Sequence, residues 1–266
     1  TVGIGKGSVT LDDLYKADLI LIFGQNPATN HPRMLSSLEK AKANGAKVVS
    51  INPLKEIGLV KSKNPQNIKG VLGGGTIISD LYLQVHMNED VALLKAAMIK
   101  LYERAKTDST ILDKDFIANK TAGYAEFKAD LDQQNLTDLI ARTGILESEI
   151  DALVDLLATR KNTIACWGMG LTQHVNGVDN IQEVVNLLLM KGSIGKPGAG
   201  TCPVRGHSNV QGDRTMGIAE RASKELLNKI SEITSQNKTA FNCVKIKELP
   251  RTNSGKIDYM KLKINA

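Results

Sequence analysis

ADLILIFGQNPATNHPRMLSSLEKAKANGAKVVSINP, residues 17–53, decides the fold. Ala17 to Phe23 is a short, continuous apolar run. Such a run suits a parallel strand buried on both faces rather than a half-exposed one. Gly24 to Asn30 is turn chemistry. Pro32 opens a helix in its first turn, with Asn30 or His31 near the cap. Met34, Leu35, Leu38, Ala41 and the stem of Lys42 make its inner stripe, and Asn44-Gly45 ends it. Ala46 to Ile51 is a second strand, stopped by Asn52-Pro53. Strand, polar loop, helix and strand in about 35 residues is the mononucleotide-binding half of a doubly wound sheet.

Outward from this unit the pattern continues. Residues 70–76 (GVLGGGT) are Gly-rich, and Thr76 to Leu83 suits either a helix or a strand. Asp90 to Tyr102 reads as a helix with Val91, Leu94, Met98 and Leu101 near one side. Phe116 to Leu157 reads as three short helices, the surest being Glu147 to Leu157 through Ile150, Leu153, Val154 and Leu157. Thr163 to Trp167 is a third strand with Gly168 to His174 as its exit loop. Asn180 to Lys191 is a strongly apolar helix. Gly192 to Met216 reads as a long ordered loop, a kind of segment that is usually functional. The predicted class is α/β, a doubly wound, mostly parallel, Rossmann-like sheet over residues 1–219, with a small basic α+β appendage over residues 220–266.

Composition narrows the function. Apolar residues make up 42% and charged residues 23% of the 266, which excludes wholesale disorder and a fibrous fold. Aromatics at 4% argue against a stacking platform for single-stranded nucleic acid. Of 34 basic and 28 acidic residues, ten and five lie in 220–266, which leaves a nearly neutral 24 and 23 before them. The body therefore carries no nucleic-acid footprint, and nucleic acid is not an expected partner. No apolar run approaches the roughly 18 residues of a membrane span. Cys166, Cys202 and Cys243 have neither metal nor disulfide spacing, so no metal ligands are expected here and a reducing, cytoplasmic setting is. The chain begins with Thr1, which suggests processing or a piece of something longer.

Three loops suit one extended, phosphate-bearing ligand. Gly24 to His31 leads into a helix N-terminus, where backbone N–H groups favour anions. Asn52 ends the second strand, where a dinucleotide fold places a ribose contact. Gly168 to His174 leaves the third strand. All three would open at the carboxyl edge of one parallel sheet; alternatively, each is an ordinary αβ turn. Residues 198–217, GAGTCPVRGHSNVQGDRTMG, are dense in glycine and in specific donors. Arg205 offers a planar fork for carboxylate or phosphate. Cys166 reads as core, Cys202 as a small buried residue, and His86 and His174 as structural histidines.

GQNPATNHPRML (24–35), WGMGLTQHVNG (167–177) and GSIGKPGAGTCPVRGHSNVQGDRTMG (192–217) together resemble the molybdopterin oxidoreductase family, closest to its formate-dehydrogenase-like alpha subunits. The resemblance runs from about residue 1 to 218. It implies a bis-molybdopterin guanine dinucleotide with Mo or W, and a [4Fe-4S] cluster in a preceding segment. It also implies two-electron chemistry on a small anionic substrate such as formate, and an electron-transfer subunit as partner. By the same resemblance Gly24, Asn26 and His31 meet phosphates and pterin, and Asn52 and Asp90 meet the guanosine. Asn52 stands where many relatives have Asp, and it brings no charge. Met169, Gly170 and Gln173 match the cofactor loop. Arg205 matches the arginine that faces the substrate. His207 stands where those enzymes have Gln and is titratable near neutrality. Asn209, Gln211 and Gly212 complete the loop. Two other readings are a non-catalytic nucleotide-binding module and a fusion carrying a ligase remnant. The latter arises because Phe241 to Asp258 resembles the last motif of adenylate-forming enzymes, with Lys256 as its lysine.

Overall fold

The structure is a computed structural model that describes residues 2–3, 5–64, 70, 73–207, 210–216, 228–229 and 231–233. The chain divides into two compact units, Thr1–Gly206 and His207–Ala266. In the first unit the strands are β1 (Leu19–Phe23), β2 (Lys47–Ile51), β3 (Lys61–Ser62), β4 (Thr76–Ile77), β5 (Leu81–Leu83), β6 (Thr163–Trp167) and β7 (Gly200–Pro203).

Five of them form one sheet in the order β5-β2-β1-β6-β7, and every neighbouring pair is parallel. Counted along the chain this is the 3-2-1-4-5 order of a doubly wound sheet. β1 is central, in register with β2 from Leu19↔Lys47 to Phe23↔Ile51 and with β6 from Leu19↔Thr163 to Phe23↔Trp167. Alternate residues of a strand point to opposite faces. Leu19, Leu21 and Phe23 enter one core with Val49, Ile51, Ala165 and the helices Asp90–Ala105, Glu147–Thr159 and Gly177–Met190. Ile20 and Ile22 enter a second core with Val48, Ile164, Cys166 and the Pro32–Ala43 helix, through Leu38 and Ala41. Two cores explain why β1 is apolar at every position: neither face meets water.

Two sequence expectations change, and one open reading is settled. Residues 114–159 hold four helices rather than three: Lys114–Lys120, Tyr124–Gln133, Leu136–Thr143 and Glu147–Thr159. Asp113 caps the first by accepting from Phe116 N at 2.9 Å, and Asn135 caps the third. Gly144, at φ +70, ends the third in a left-handed conformation that only glycine adopts freely. The segment Thr76 to Leu83 is two short strands, β4 paired antiparallel with β3, and β5 on the edge of the main sheet. The Gly-rich stretch after residue 192 is not all loop, because it contains β7. β7 is the other edge, where Pro203 costs no ladder bond on its outer side. Ser8 covers that side: its Oγ accepts from Thr201 N at 2.9 Å and its N–H donates to Thr201 O at 2.9 Å.

The second unit shows a helix at Val210–Thr215 and helical backbone at 228–229 and 231–233. Asn209 and residues 241–258 lie outside the described residues. Among those described, no helix is long and apolar enough to cross a membrane, and no group of three His, Cys, Asp or Glu side chains is placed to hold a metal.

Candidate functional site

The carboxyl ends of β1, β2, β5 and β6 open on one cavity of about 430 Å³. Six of the expected residues line it: Gly24, Asn26, Asn52, Asp90, Gly170 and Gln173. The position follows from topology. The chain winds from β1 towards β2 on one side, and β6 lies on the other, so the crevice falls where the winding reverses.

The glycines set how closely the two central loops approach. Gly168 N–H donates to Phe23 O and Gly170 N–H to Gly24 O, both at 3.0 Å. Gly24 holds φ at +53, and a Cβ there would sit 2.5 Å from Leu171 N. A Cβ on Gly168 or Gly170 would sit 2.7 Å from Gly24 O. These three residues are a backbone seam that no larger side chain fits.

Polar side chains then brace the floor. Asn52 is buried, and its Nδ2 donates to Gln25 O at 2.9 Å, which ties the β2 exit to the β1 exit. Asn26 Oδ1 accepts from Thr29 N at 3.2 Å, and its Nδ2 donates to Glu56 Oε2 at 2.5 Å. Gln25 is 4% exposed; its Nε2 lies 3.1 Å from Met34 Sδ, and its Oε1 has no partner among the described residues. Asp90 opens the Asp90–Ala105 helix and is 6% exposed. Burial pushes its carboxyl up to about 6; attraction to His174 and its own backbone N–H oppose this, and Glu89 adds to it. No other described residue donates a hydrogen bond to that carboxyl. His174 Nε2 lies 2.8 Å from Gly170 O and His86 Nδ1 lies 3.0 Å from Arg142 O. A carbonyl only accepts, so these ring nitrogens carry the protons. Both histidines do structural work, as expected, and both also line the cavity.

Arg205 and its neighbours form a separate group beyond the carboxyl end of β7. His31 Nε2 donates to Arg205 O at 2.7 Å, joining the β1 exit to the β7 exit. Arg205 Nη2 donates to Gly5 O at 2.8 Å. Arg205 Nε and His31 Nδ1 are buried without a partner among the described residues. Met169 is exposed and is not part of the cavity wall. A Cβ on Gly206 would meet its Sδ at 2.4 Å, so the thioether lies against Gly206 beside Arg205. Cys166 and Cys202 face each other across β6 and β7, Cys166 in the core and Cys202 half-buried. In the second unit His207 is exposed, and Gln211 and Gly212 lie in the Val210–Thr215 helix.

Gln25, Asn30, Glu56, His86, Asn88 and His174 line the cavity without having been singled out for it. Glu56 and Asn88 carry no motif. Gln25 was visible only as part of a polar turn.

The sequence signature described as molybdopterin oxidoreductase matches residues 5–259. The chain belongs to the molybdopterin oxidoreductase family. An uncharacterised oxidoreductase of Mycobacterium tuberculosis is 46% identical over 248 residues, covering 92% of this chain and 32% of that protein. Formate dehydrogenase H of Escherichia coli is 31% identical over 217 residues, covering 82% of this chain and 27% of that enzyme. The chain thus spans about a third or less of these relatives. Acetylene hydratase from Pelobacter acetylenicus shares the fold at a TM-score of 0.56 and 18% identity, over 71% of this chain and 25% of that one. The family match extends past residue 218, where the recognised motifs end, and runs through the stretch 241–258. None of these proteins is an adenylate-forming enzyme, and the resemblance of that stretch to one has no support. Membership of the family implies a molybdopterin cofactor.

Proposed function

We propose that this chain grips one arm of a bis-molybdopterin guanine dinucleotide in an oxidoreductase acting on a small anionic substrate such as formate. The observation that carries this is the cavity at the carboxyl edge of the sheet, with a buried, hydrogen-bond-poor Asp90 carboxyl in its wall and Gln25 beside it, whose Oε1 is sealed and unpartnered. Buried acceptors without donors imply a ligand that brings donors. The ring N–H and exocyclic amine of guanine are such donors, so the residues present fit the nucleoside end of the cofactor. Asp90, Gln25 and Asn52 would hold that end, and Asn26, Asn30 and Gln173 would serve the length between guanosine and pterin.

When bound, the metal of the cofactor, Mo or W, supplies the two-electron step. The chain's own part is to orient the cofactor and present Arg205. Its guanidinium, anchored by Nη2 on Gly5 O, would meet a carboxylate with its remaining N–H groups. His207 would offer the substrate a ring nitrogen as hydrogen-bond donor or acceptor. A [4Fe-4S] cluster and an electron-transfer subunit complete the proposed enzyme outside this chain. A reducing, cytoplasmic setting is part of the same proposal.

The test is cofactor content in the complete enzyme, read as guanosine nucleotide released on hydrolysis. Asp90→Asn should lower it several-fold at equal protein. An unchanged content would overturn the assignment of Asp90 to the guanosine end.

A further inference from the structure

The opposite edge of the sheet holds a second concavity, of about 410 Å³, that the cofactor reading leaves unused. Arg160 and Lys161 immediately precede β6, Lys191 follows the Gly177–Met190 helix, Lys196 lies before β7, and Lys114 opens the Lys114–Lys120 helix. All five line it, against two carboxylates, Asp113 and Asp115.

Elsewhere in the unit the pairing is mixed: Lys16, Arg33, Lys40 and Lys63 reach no carboxylate among the described residues, whereas others do. Lys42, Lys47, Lys95, Lys100, Arg104, Lys128 and Arg142 all reach carboxylates. Around this cavity, Lys114, Arg160, Lys161 and Lys196 form no side-chain ion pair among the described residues. Nearby carboxylates offset part of this charge, Asp108 acting on Lys161 and Asp18 on Lys191, and each also holds backbone. Asp113 accepts from Phe116 N at 2.9 Å, Asp18 accepts from Asn162 N at 2.9 Å, and Asp108 accepts from Thr110 N at 2.9 Å. Lys191 is 5% exposed, and its ammonium caps the Glu147–Thr159 helix by donating to Leu157 O and Arg160 O. Burial, with Lys196 beside it, pushes Lys191 down to about 8. Five cations against two carboxylates round one concavity make a local positive field that favours an anion.

We infer that this amino-edge cavity is a binding site for a small phosphate-bearing anion. Its volume is in the range of small-molecule sites, about 300–1,000 Å³. Lysine ammonium groups are compact point charges with rotatable donors, suited to a multiply charged group with several oxygens. The site is independent of the cofactor cavity, which opens at the other ends of the same strands.

The test is titration of the full, isotope-labelled chain with inorganic pyrophosphate, and separately with inorganic phosphate, followed by amide NMR. The expected result is saturable shifts at residues 109–115, 160–161 and 191–196, with a Kd below about 1 mM for pyrophosphate. Lys161→Met with Lys196→Met should weaken binding by about tenfold or more. The charge-matched pair Lys40→Met with Lys63→Met should leave it unchanged. Shifts confined to residues 24–26 and 170–174 would mean that pyrophosphate enters only the cofactor cavity, and would overturn the inference. Absence of saturation up to about 10 mM, or equal weakening by both variant pairs, would overturn it as well.

Discussion

Replacing Asp90 by Asn should stabilise the chain at neutral pH. The carboxyl titrates at about 6 when folded, against an ordinary value of 3.8. The folded state therefore binds the proton more tightly than the unfolded chain does. Stability is fullest below about pH 4, falls as pH rises through 4 to 6, and levels off above. The gap is about 2, and at 1.36 kcal/mol for each unit the ionised carboxylate costs about 3 kcal/mol at pH 8. Asp90 is 6% exposed, so solvent screens little of this cost. The favourable interaction of a carboxylate with a helix N-terminus is already contained in the folded value. Asn keeps the shape and removes the charge. Urea unfolding at pH 8 should show the variant more stable by about 1.5–3 kcal/mol, and at pH 4 nearly equal. In thermal unfolding, a gain of that size in about 200 residues is roughly 4–10 °C. Parallel stability–pH curves for the two proteins would refute the claim that a buried, unrelieved carboxylate faces the cavity. The cost itself is intelligible as strain retained at a binding site.

Gly170→Ala should destabilise the chain by about 1–3 kcal/mol, since its Cβ would press on Gly24 O at 2.7 Å, with urea midpoints as the check. Asn52→Ala should cost about 1–2 kcal/mol by leaving buried Gln25 O without its donor, read by the same unfolding curves. In the complete enzyme, Arg205→Lys should lower turnover of an anionic substrate by about tenfold or more while leaving cofactor content near wild type, because a bidentate contact worth about 1.5–3 kcal/mol is lost. If activity per bound metal instead stays constant and cofactor is lost, Arg205 is a cofactor clamp.

The central strands were legible because burial on both faces leaves a mark of its own: five apolar residues in succession at β1. β7 was not, because Gly200 and Pro203 carry no strand propensity; its ladder to β6 and its cover by Ser8 are made by distant parts of the chain. The site divides in the same way. Gly24, Asn52 and Gly170 could be placed at the carboxyl edge because each lies just past a strand end. Glu56, His86 and Asn88 could not, because local sequence does not say which side chains of a long connection turn inward. Met169 shows the opposite limit. A motif marked it, and the backbone seam made by Gly168 and Gly170 directs it to Gly206 instead of to the cavity.

The most direct test of the account is nucleotide selectivity in the chain itself. Titration with guanosine diphosphate and adenosine diphosphate, followed by amide NMR, reads both affinity and place. The guanosine form should bind tighter by about tenfold or more, since adenine offers no paired donors to the Asp90 carboxyl. Its shifts should fall at residues 24–26, 52–56, 86–90 and 170–174. Equal affinity for the two nucleotides, or shifts that spare Asp90 and the seam at Gly24 and Gly170, would contradict it.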